Sequence, residues 1–311
     1  MRSRKHFVVW LCSLLALLLV AGCGGAPAAP KAADQPAPAA TQPAAQPATP
    51  PTPANPDLIL ATTTSTQDSG LLDVIVPLFE TKTGYKVKTI AVGTGQALAM
   101  GDKGEADVLL VHAPADEKKL IEKGTAIERK LVMHNDFIVV GPKEDPAKVK
   151  GSKTAAEALK KIADAKAVFV SRGDDSGTHK KELSLWKDTG IKNEGAWYQQ
   201  TGSGMGQTLN VANEKNGYTL TDRATYLANQ KNLSLQIVLE GDAPLLNIYH
   251  VMLVNPAKFS KVNAEGAKAF SDYLLSAEGQ SEISKFGKEK YGQSLFFGDG
   301  GKTEAQLTGQ K

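Results

Sequence analysis

Nine residues near the middle of the chain, Ser171-Arg-Gly-Asp-Asp-Ser-Gly-Thr-His179, put a guanidinium, hydroxyls, glycines and carboxylates into one short stretch. They follow the apolar run Ala167-Val-Phe-Val170 and precede Lys180–Lys187, whose Leu183, Leu185 and Trp186 suit a helix with one packed face. A strand that turns into a helix start leaves several backbone N–H groups without intrahelical partners, and with the helix dipole behind them they attract an anion. Arg172 adds a planar fork of donors, Ser176 and Thr178 add hydroxyls, and Gly177 lets a ligand approach the backbone. The same residues also read as a plain helix cap, with Asp175 or Ser176 as N-cap and Arg172 paired to Asp174. A second hydroxyl-rich stretch, Thr62-Thr-Thr-Ser-Thr-Gln-Asp-Ser69, tips the reading toward an anion site.

Other chemistries fit less well. Ser176 and His179 stand three apart with Asp174 nearby, which invites a hydrolase, but a nucleophile elbow needs Gly two residues before the Ser and Asp174 stands there. No enzyme activity is expected. Gly93-x-Gly95 lacks the third glycine of a dinucleotide fingerprint, since Leu98 occupies it, and Gly301-Lys-Thr303 has Phe296 where a P-loop has its first glycine. The five histidines form no pair at metal spacing; His112, His134 and His250, in or beside apolar strands, read as core residues. Neither a metal nor a cofactor is expected.

The elements that position these residues follow a regular order. Leu58–Ala61 reads as a strand leading into the Thr62–Ser69 turn, and Gly70–Phe79 as an amphipathic helix kinked or restarted near Pro77 and ending at Thr83-Gly84. Tyr85–Val92 alternates as a strand, Gly93–Gln96 turns into a short helix over 97–101, and Ala106–Val111 is a buried strand before a helix from Pro114. After a long apolar run to Val140, a second block follows: helix 152–164, strand 167–170, helix 177–188, the turn Thr201–Gly206 with a helix to Asn213, and strands 218–220 and 235–239. Asn247–Val254 is another long run; helices near 263–275 and 278–287 close the fold, and Gly298–Gly301 reads as a frayed tail. This predicts an α/β protein of two lobes, 57–140 completed by 247–311 and 141–246, joined by two crossover strands; one doubly wound sheet is the alternative. Ligands of open α/β sheets bind beyond the carboxyl ends of the strands, where Thr62–Ser65, Thr94 and Arg172–Thr178 would meet.

The ends and the charge limit the setting. Arg2, Arg4 and Lys5 precede an apolar stretch from Phe7 to Ala21, and Val20-Ala-Gly-Cys23 follows, so residues 1–22 read as a lipoprotein signal with Cys23 as the lipidated first residue. The second cysteine, Cys12, lies inside that signal, which excludes disulfides from the mature fold. Residues 24–56, rich in Ala, Pro, Gln and Thr, read as a disordered tether. The formal charge of +3 equals the three basic residues of the signal, leaving 33 basic against 33 acidic residues. A nucleic-acid partner is therefore not expected, and anion selectivity must come from local groups.

The stretch Leu58–Phe297 resembles the tungstate-binding component of bacterial ABC importers, a periplasmic-binding-protein fold of type II. The resemblance rests on Ala61-Thr-Thr-Thr-Ser-Thr-Gln-Asp-Ser-Gly-Leu-Leu72, Ala91-Val-Gly-Thr-Gly-Gln-Ala-Leu98, Ala106-Asp-Val-Leu-Leu-Val-His-Ala-Pro114, Asn135-Asp-Phe-Ile-Val-Val-Gly-Pro142, the Ser171–His179 stretch and Tyr218-Thr-Leu-Thr-Asp-Arg223. It implies a monomeric extracytoplasmic receptor that closes on tungstate or molybdate and hands it to an ABC permease and its ATPase. By position, Thr63, Ser65, Arg172 and Thr178 match the family's ion-contacting residues, with Thr64, Ser176 and Gly177 as neighbours; Thr94 joins the candidate ligand residues by its place at a strand's carboxyl end. Arg-x-Asp-x-Ser-Gly-Thr also resembles phosphate-binding receptors, in which the carboxylate accepts a proton from the bound ion; a phosphate or sulfate receptor is the alternative. For a fully ionised oxyanion, Asp174 must turn away, onto Arg172 or the N–H groups of the turn.

Overall fold

A computed structural model describes residues 52–308; the basic start, the apolar stretch, Cys23 and nearly all of the tether lie outside the described residues. The first half is a series of strand–helix steps. β1 (Asp57–Thr63) leads into α1 (Thr64–Asp68) and α2 (Leu72–Thr83), β2 (Lys86–Val92) into α3 (Thr94–Asp102), and β3 (Val108–Val111) into α4 (Pro114–Glu122). β3 reads Val-Leu-Leu-Val with every residue buried, as a strand covered on both faces must. α2 buries Leu72, Ile75 and Phe79, one helix face, and stops at Gly84 with φ +78°. The expected restart at Pro77 does not occur: the helix runs through the proline, which stands in its middle and removes one backbone hydrogen bond, while the packed face stays continuous. α3 starts at Thr94 itself, three residues earlier than its apolar positions suggest.

β4 (Ala126–Gly141) then carries the chain into the second block: α5 (Ala155–Asp164), β5 (Phe169–Ser171), α6 (Gly177–Thr189), β6 (Tyr198–Gln200), α7 (Met205–Glu214), β7 (Thr219–Asp222), α8 (Arg223–Asn229) and β8 (Gln236–Leu239). α5 is fixed at its start by a reciprocal cap, Thr154 Oγ1 accepting from Glu157 N and Glu157 Oε2 from Lys153 N. β9 (Leu246–Val254) returns to the first block, followed by α9 (Ala264–Leu275), α10 (Ala277–Lys285), α11 (Lys288–Tyr291), β10 (Phe297–Gly298) and α12 (Glu304–Thr308).

The main sheet has the order β10-β4-β9-β3-β1-β2, with β1 parallel to β2 and β3 and the others antiparallel. β4 changes partners along its length. Ala126 to Asp136 face β9, whereas Phe137 to Val140 face β7 and the last residues face β8. Alternation along strands sends side chains to separate cores. In β1, Leu58 and Leu60 pack with Phe79, Phe270 and Phe296, while Ala61 packs with Leu98 and Met252 on the other face. In the far part of β4, Phe137 and Val139 join Trp186 and Tyr218, while Ile138 and Val140 join Met205 and Leu209.

The tail is a correction. Gly298–Gly301 is not frayed: Phe297-Gly298 pairs with β4, and the buried Asp299 accepts His134 Nδ1 at 2.5 Å while its N–H reaches Val132 O at 2.9 Å. The glycines there allow close packing on Gln280.

Candidate oxyanion site

Three strand-to-helix turns meet in the interior. At the first, Thr63 caps α1: its Oγ1 accepts from Thr66 N at 3.3 Å and lies 3.1 and 2.7 Å from the Ser65 and Thr66 hydroxyls. Thr62 points elsewhere, donating to Leu110 O at 2.7 Å. At the second, Thr94 opens α3 and its Oγ1 accepts from Gly177 N at 2.9 Å. At the third, the chain leaves β5 and reverses twice, at Gly173 (φ +61°) and Asp175 (φ +58°), before Ser176 caps α6 by accepting from His179 N at 3.1 Å. Ser176 therefore is the N-cap, and its hydroxyl hydrogen remains available to a ligand.

Arg172 is 1 % exposed. Its Nη2 donates to Asp174 Oδ2 at 2.6 Å and to Thr64 Oγ1 at 2.8 Å, and Asp174 Oδ1 accepts from Ser176 N at 3.2 Å. Asp174 thus has both oxygens engaged, one on the guanidinium and one on the turn. Arg172 Nε and Nη1 and Thr178 Oγ1 are buried without a partner among the described residues. Burying guanidinium N–H groups without an acceptor costs several kcal/mol, which an anion placed against them removes.

The first-block and second-block turns touch at several points besides Thr64–Arg172 and Thr94–Gly177. Gly206 N donates to Asp68 Oδ2 at 3.1 Å, Gly95 N to Asp175 O at 3.2 Å, and Lys180 pairs with Asp116. Gly177 is required here: a Cβ on it would sit 2.6 Å from His112 Cε1. Thr63, Ser65, Thr94, Arg172, Ser176 and Thr178 are all buried, and Thr64 is half-buried.

Two residues of this region escaped the sequence reading. His112, read as a core residue, is buried with its ring centroid 4.7 Å from that of Tyr249 and its Nε2 3.4 Å from Ser65 Oγ, but its Nδ1 has no partner among the described residues. Burial, with Arg172 nearby, pushes its pKa down to about 3, so the ring is neutral. Asp222, fully buried at the end of β7, caps α8 through Thr225 N at 2.8 Å, while Thr225 Oγ1 donates to Ser65 O at 3.2 Å. The available signal was position, since both stand at carboxyl ends of strands. His134 and His250, in contrast, are satisfied, His250 by Glu117 Oε2 at 3.0 Å and Arg129 Nη2 at 3.1 Å.

Chemically, the arrangement is a set of buried hydrogen-bond donors around one guanidinium, suited to holding an anion without altering it. His179 Nδ1 accepts from Asp175 N at 3.1 Å, so that nitrogen is not directed at Ser176 as a base. Among the described residues no cluster of His, Cys, Asp and Glu is placed to hold a metal ion.

Residues 32–278 match the model of a PBP superfamily domain. The chain is 54 % identical over 247 residues to the tungstate-binding protein TupA of Peptoclostridium acidaminophilum, covering 79 % of this chain and 86 % of that protein. Its fold is similar to the crystal structure of the tungstate ABC transporter from Geobacter sulfurreducens (50 % identity, 74 % of this chain and 98 % of that one, TM-score 0.69). It is also similar to the tungstate binding protein TupA from Desulfovibrio alaskensis G20 (47 % identity, 79 % and 99 %, TM-score 0.67). With the site's geometry and these likenesses together, the chain belongs to the PBP superfamily and, within it, to the family of the tungstate-binding proteins of ABC transporters.

Proposed function

We propose that the protein is an extracytoplasmic receptor that binds tungstate, or molybdate, between its two lobes and delivers it to an ABC permease with its ATPase. The observation that carries this reading is the buried Arg172, whose Nε and Nη1, like the Thr178 hydroxyl of the same turn, have no partner among the described residues. Thr63, Thr64, Ser65 and Thr94 supply hydroxyls from the first lobe, and Arg172, Ser176, Gly177 and Thr178 supply donors from the second. The lobes are taken as 57–140 with 247–311 and as 141–246, a division supported by the partner change along β4. A nanomolar complex needs about −12 kcal/mol. Hydrogen bonds to a charged group contribute about 1.5–3 kcal/mol each, so roughly six to eight converging donors supply it after association costs.

The phosphate or sulfate alternative is weakened by Asp174. A phosphate receptor needs a carboxylate directed at the ion to accept its proton, whereas Asp174 has one oxygen on the Arg172 guanidinium and the other on Ser176 N. Calorimetry with tungstate, molybdate, sulfate and phosphate tests the assignment: tight binding of the first two is expected, and tight phosphate binding without tungstate binding would overturn it. The protein acts as a monomer held at the membrane by a lipid on Cys23, so Cys23→Ala is expected to release it into the soluble fraction.

A further inference from the structure

Asp222 uses only one of its oxygens in the fold. Oδ1 accepts from Thr225 N, whereas Oδ2 is buried without a partner among the described residues. Asp222 stands beside the site: it pairs with Phe137 of β4, whose ring centroid is 6.2 Å from that of His112, and Thr225, whose N–H it caps, donates to Ser65 O at 3.2 Å; the Arg172 charge is near enough to act on it. Among the described residues, Lys181 near His112 and Asp68 near Arg172 add one charge of each sign and cancel. α1 contributes the hydroxyls of Ser65 and Thr66, β3 the neutral ring of His112, and Arg223, next along the chain, is turned onto Asp136 and Glu240.

A charge count then constrains the site. The positive charge of Arg172 is already matched by Asp174. An ionised Asp222 would leave this buried layer with one negative charge in excess before a dianion arrives, and two like charges in a water-poor site repel strongly. Burial already pushes the Asp222 pKa up to about 6, so neutralising it is a modest step.

We infer that Asp222 is a further residue of the oxyanion site, present as the neutral acid when the ion is bound, its Oδ2–H donating to the ion and its proton drawn from solvent on binding. The inference rests on the oxyanion-receptor reading above. It makes Asp222 a specificity-determining residue: as an acid it is a donor and accepts a fully ionised oxyanion, a role an ionised carboxylate cannot fill.

Tungstate is the suitable probe, because it carries no proton of its own above about pH 7 and any proton taken up must go to the protein. Titration of the full chain with tungstate at pH 7.5, by calorimetry in buffers of differing ionisation enthalpy, is expected to show uptake of about one proton per ion. The affinity of the wild type should then fall by up to about tenfold per pH unit between pH 7.5 and 9. Asp222→Asn keeps the Oδ1 acceptor for Thr225 and puts an amide N–H in place of Oδ2–H. It is expected to bind tungstate within about threefold of wild type at pH 7.5, with no proton uptake and a flat pH profile. His112→Gln and Glu182→Gln, the controls for the two other buried titratable groups near the Arg172 turn, should keep the uptake. Tungstate binding without proton uptake, or uptake that survives Asp222→Asn, overturns the inference and leaves the receptor reading intact. Failure of the wild type to bind tungstate at all removes both. Should Asp222→Asn not fold, wild type, His112→Gln and Glu182→Gln decide: uptake in all three supports Asp222, and its loss in any one rejects it.

Discussion

Arg172 carries two duties that the structure separates by atom. Nη2 holds Asp174 and Thr64, while Nε and Nη1 are buried without partners among the described residues. Removing the side chain eliminates those donors and strands the Asp174 carboxylate, so Arg172→Ala is expected to weaken tungstate binding by at least about a thousandfold, roughly 4 kcal/mol. Asp174→Asn keeps an oxygen for Ser176 N or Arg172 but faces the other donor with an amide NH2, losing the charge and one hydrogen bond; calorimetry should show weakening of about tenfold and no new sulfate affinity. A larger loss would put Asp174 against the ion. These residues were legible in the sequence because Arg, Ser and Thr gathered between an apolar strand and a helix have few purely structural uses. His112 and Asp222 were not, because a single His or Asp at the end of a strand has the same local sequence whether it caps a helix or faces a ligand.

At the level of elements, α6 ties the Arg172 turn to its support. Glu182, buried on this helix, accepts from Trp186 Nε1 at 3.1 Å and from Tyr198 OH at 2.7 Å, so helix and β6 share one carboxyl group. Burial raises its pKa from 4.5 to about 7. A carboxyl whose pKa is higher in the folded state favours folding while protonated. Its contribution is complete below pH 4.5, is lost as pH rises through 7, and amounts to about 3 kcal/mol. Chemical denaturation between pH 4.5 and 7.5 should show this decline in wild type, and Glu182→Gln should flatten it; an unchanged slope in the variant would place the titration elsewhere. Strand and helix order in both blocks could be read from apolar periodicity. β6 could not, since Tyr-Gln-Gln shows no alternation and becomes a strand only by pairing with β5. α8 was missed because it is seven residues long and begins with Asp-Arg, and the C-terminal α12 because its position depends on Glu304 reaching Arg129 at 2.5 Å.

Across the whole molecule, the two blocks meet through polar contacts: Thr64–Arg172, Thr94–Gly177, Asp68–Gly206 and Lys180–Asp116. An oxyanion held by donors from both sides adds bonds that exist only when the blocks are together, so it shifts the population toward closure. Small-angle scattering should give a smaller radius of gyration with saturating tungstate, and an unchanged radius would argue against a site shared between lobes. The two long apolar runs announced the crossing strands, but not that one of them would be hydrogen-bonded to both sheets.

That double engagement of β4 has a kinetic consequence. Its hand-over from β9 to β7 falls between Asp136 and Phe137, and Arg223 grips Asp136 there with Nε at 2.9 Å and Nη2 at 2.5 Å. Separation of the blocks by sliding would break the β4 pairing with β9 before that joint and with β7 and β8 after it. Separation must then be torsion of a few peptide units, stiffened by an ion pair outside the anion pocket. For an ion held between the blocks, the residence time is expected to depend on the stiffness of this joint as well as on the strength of the donors.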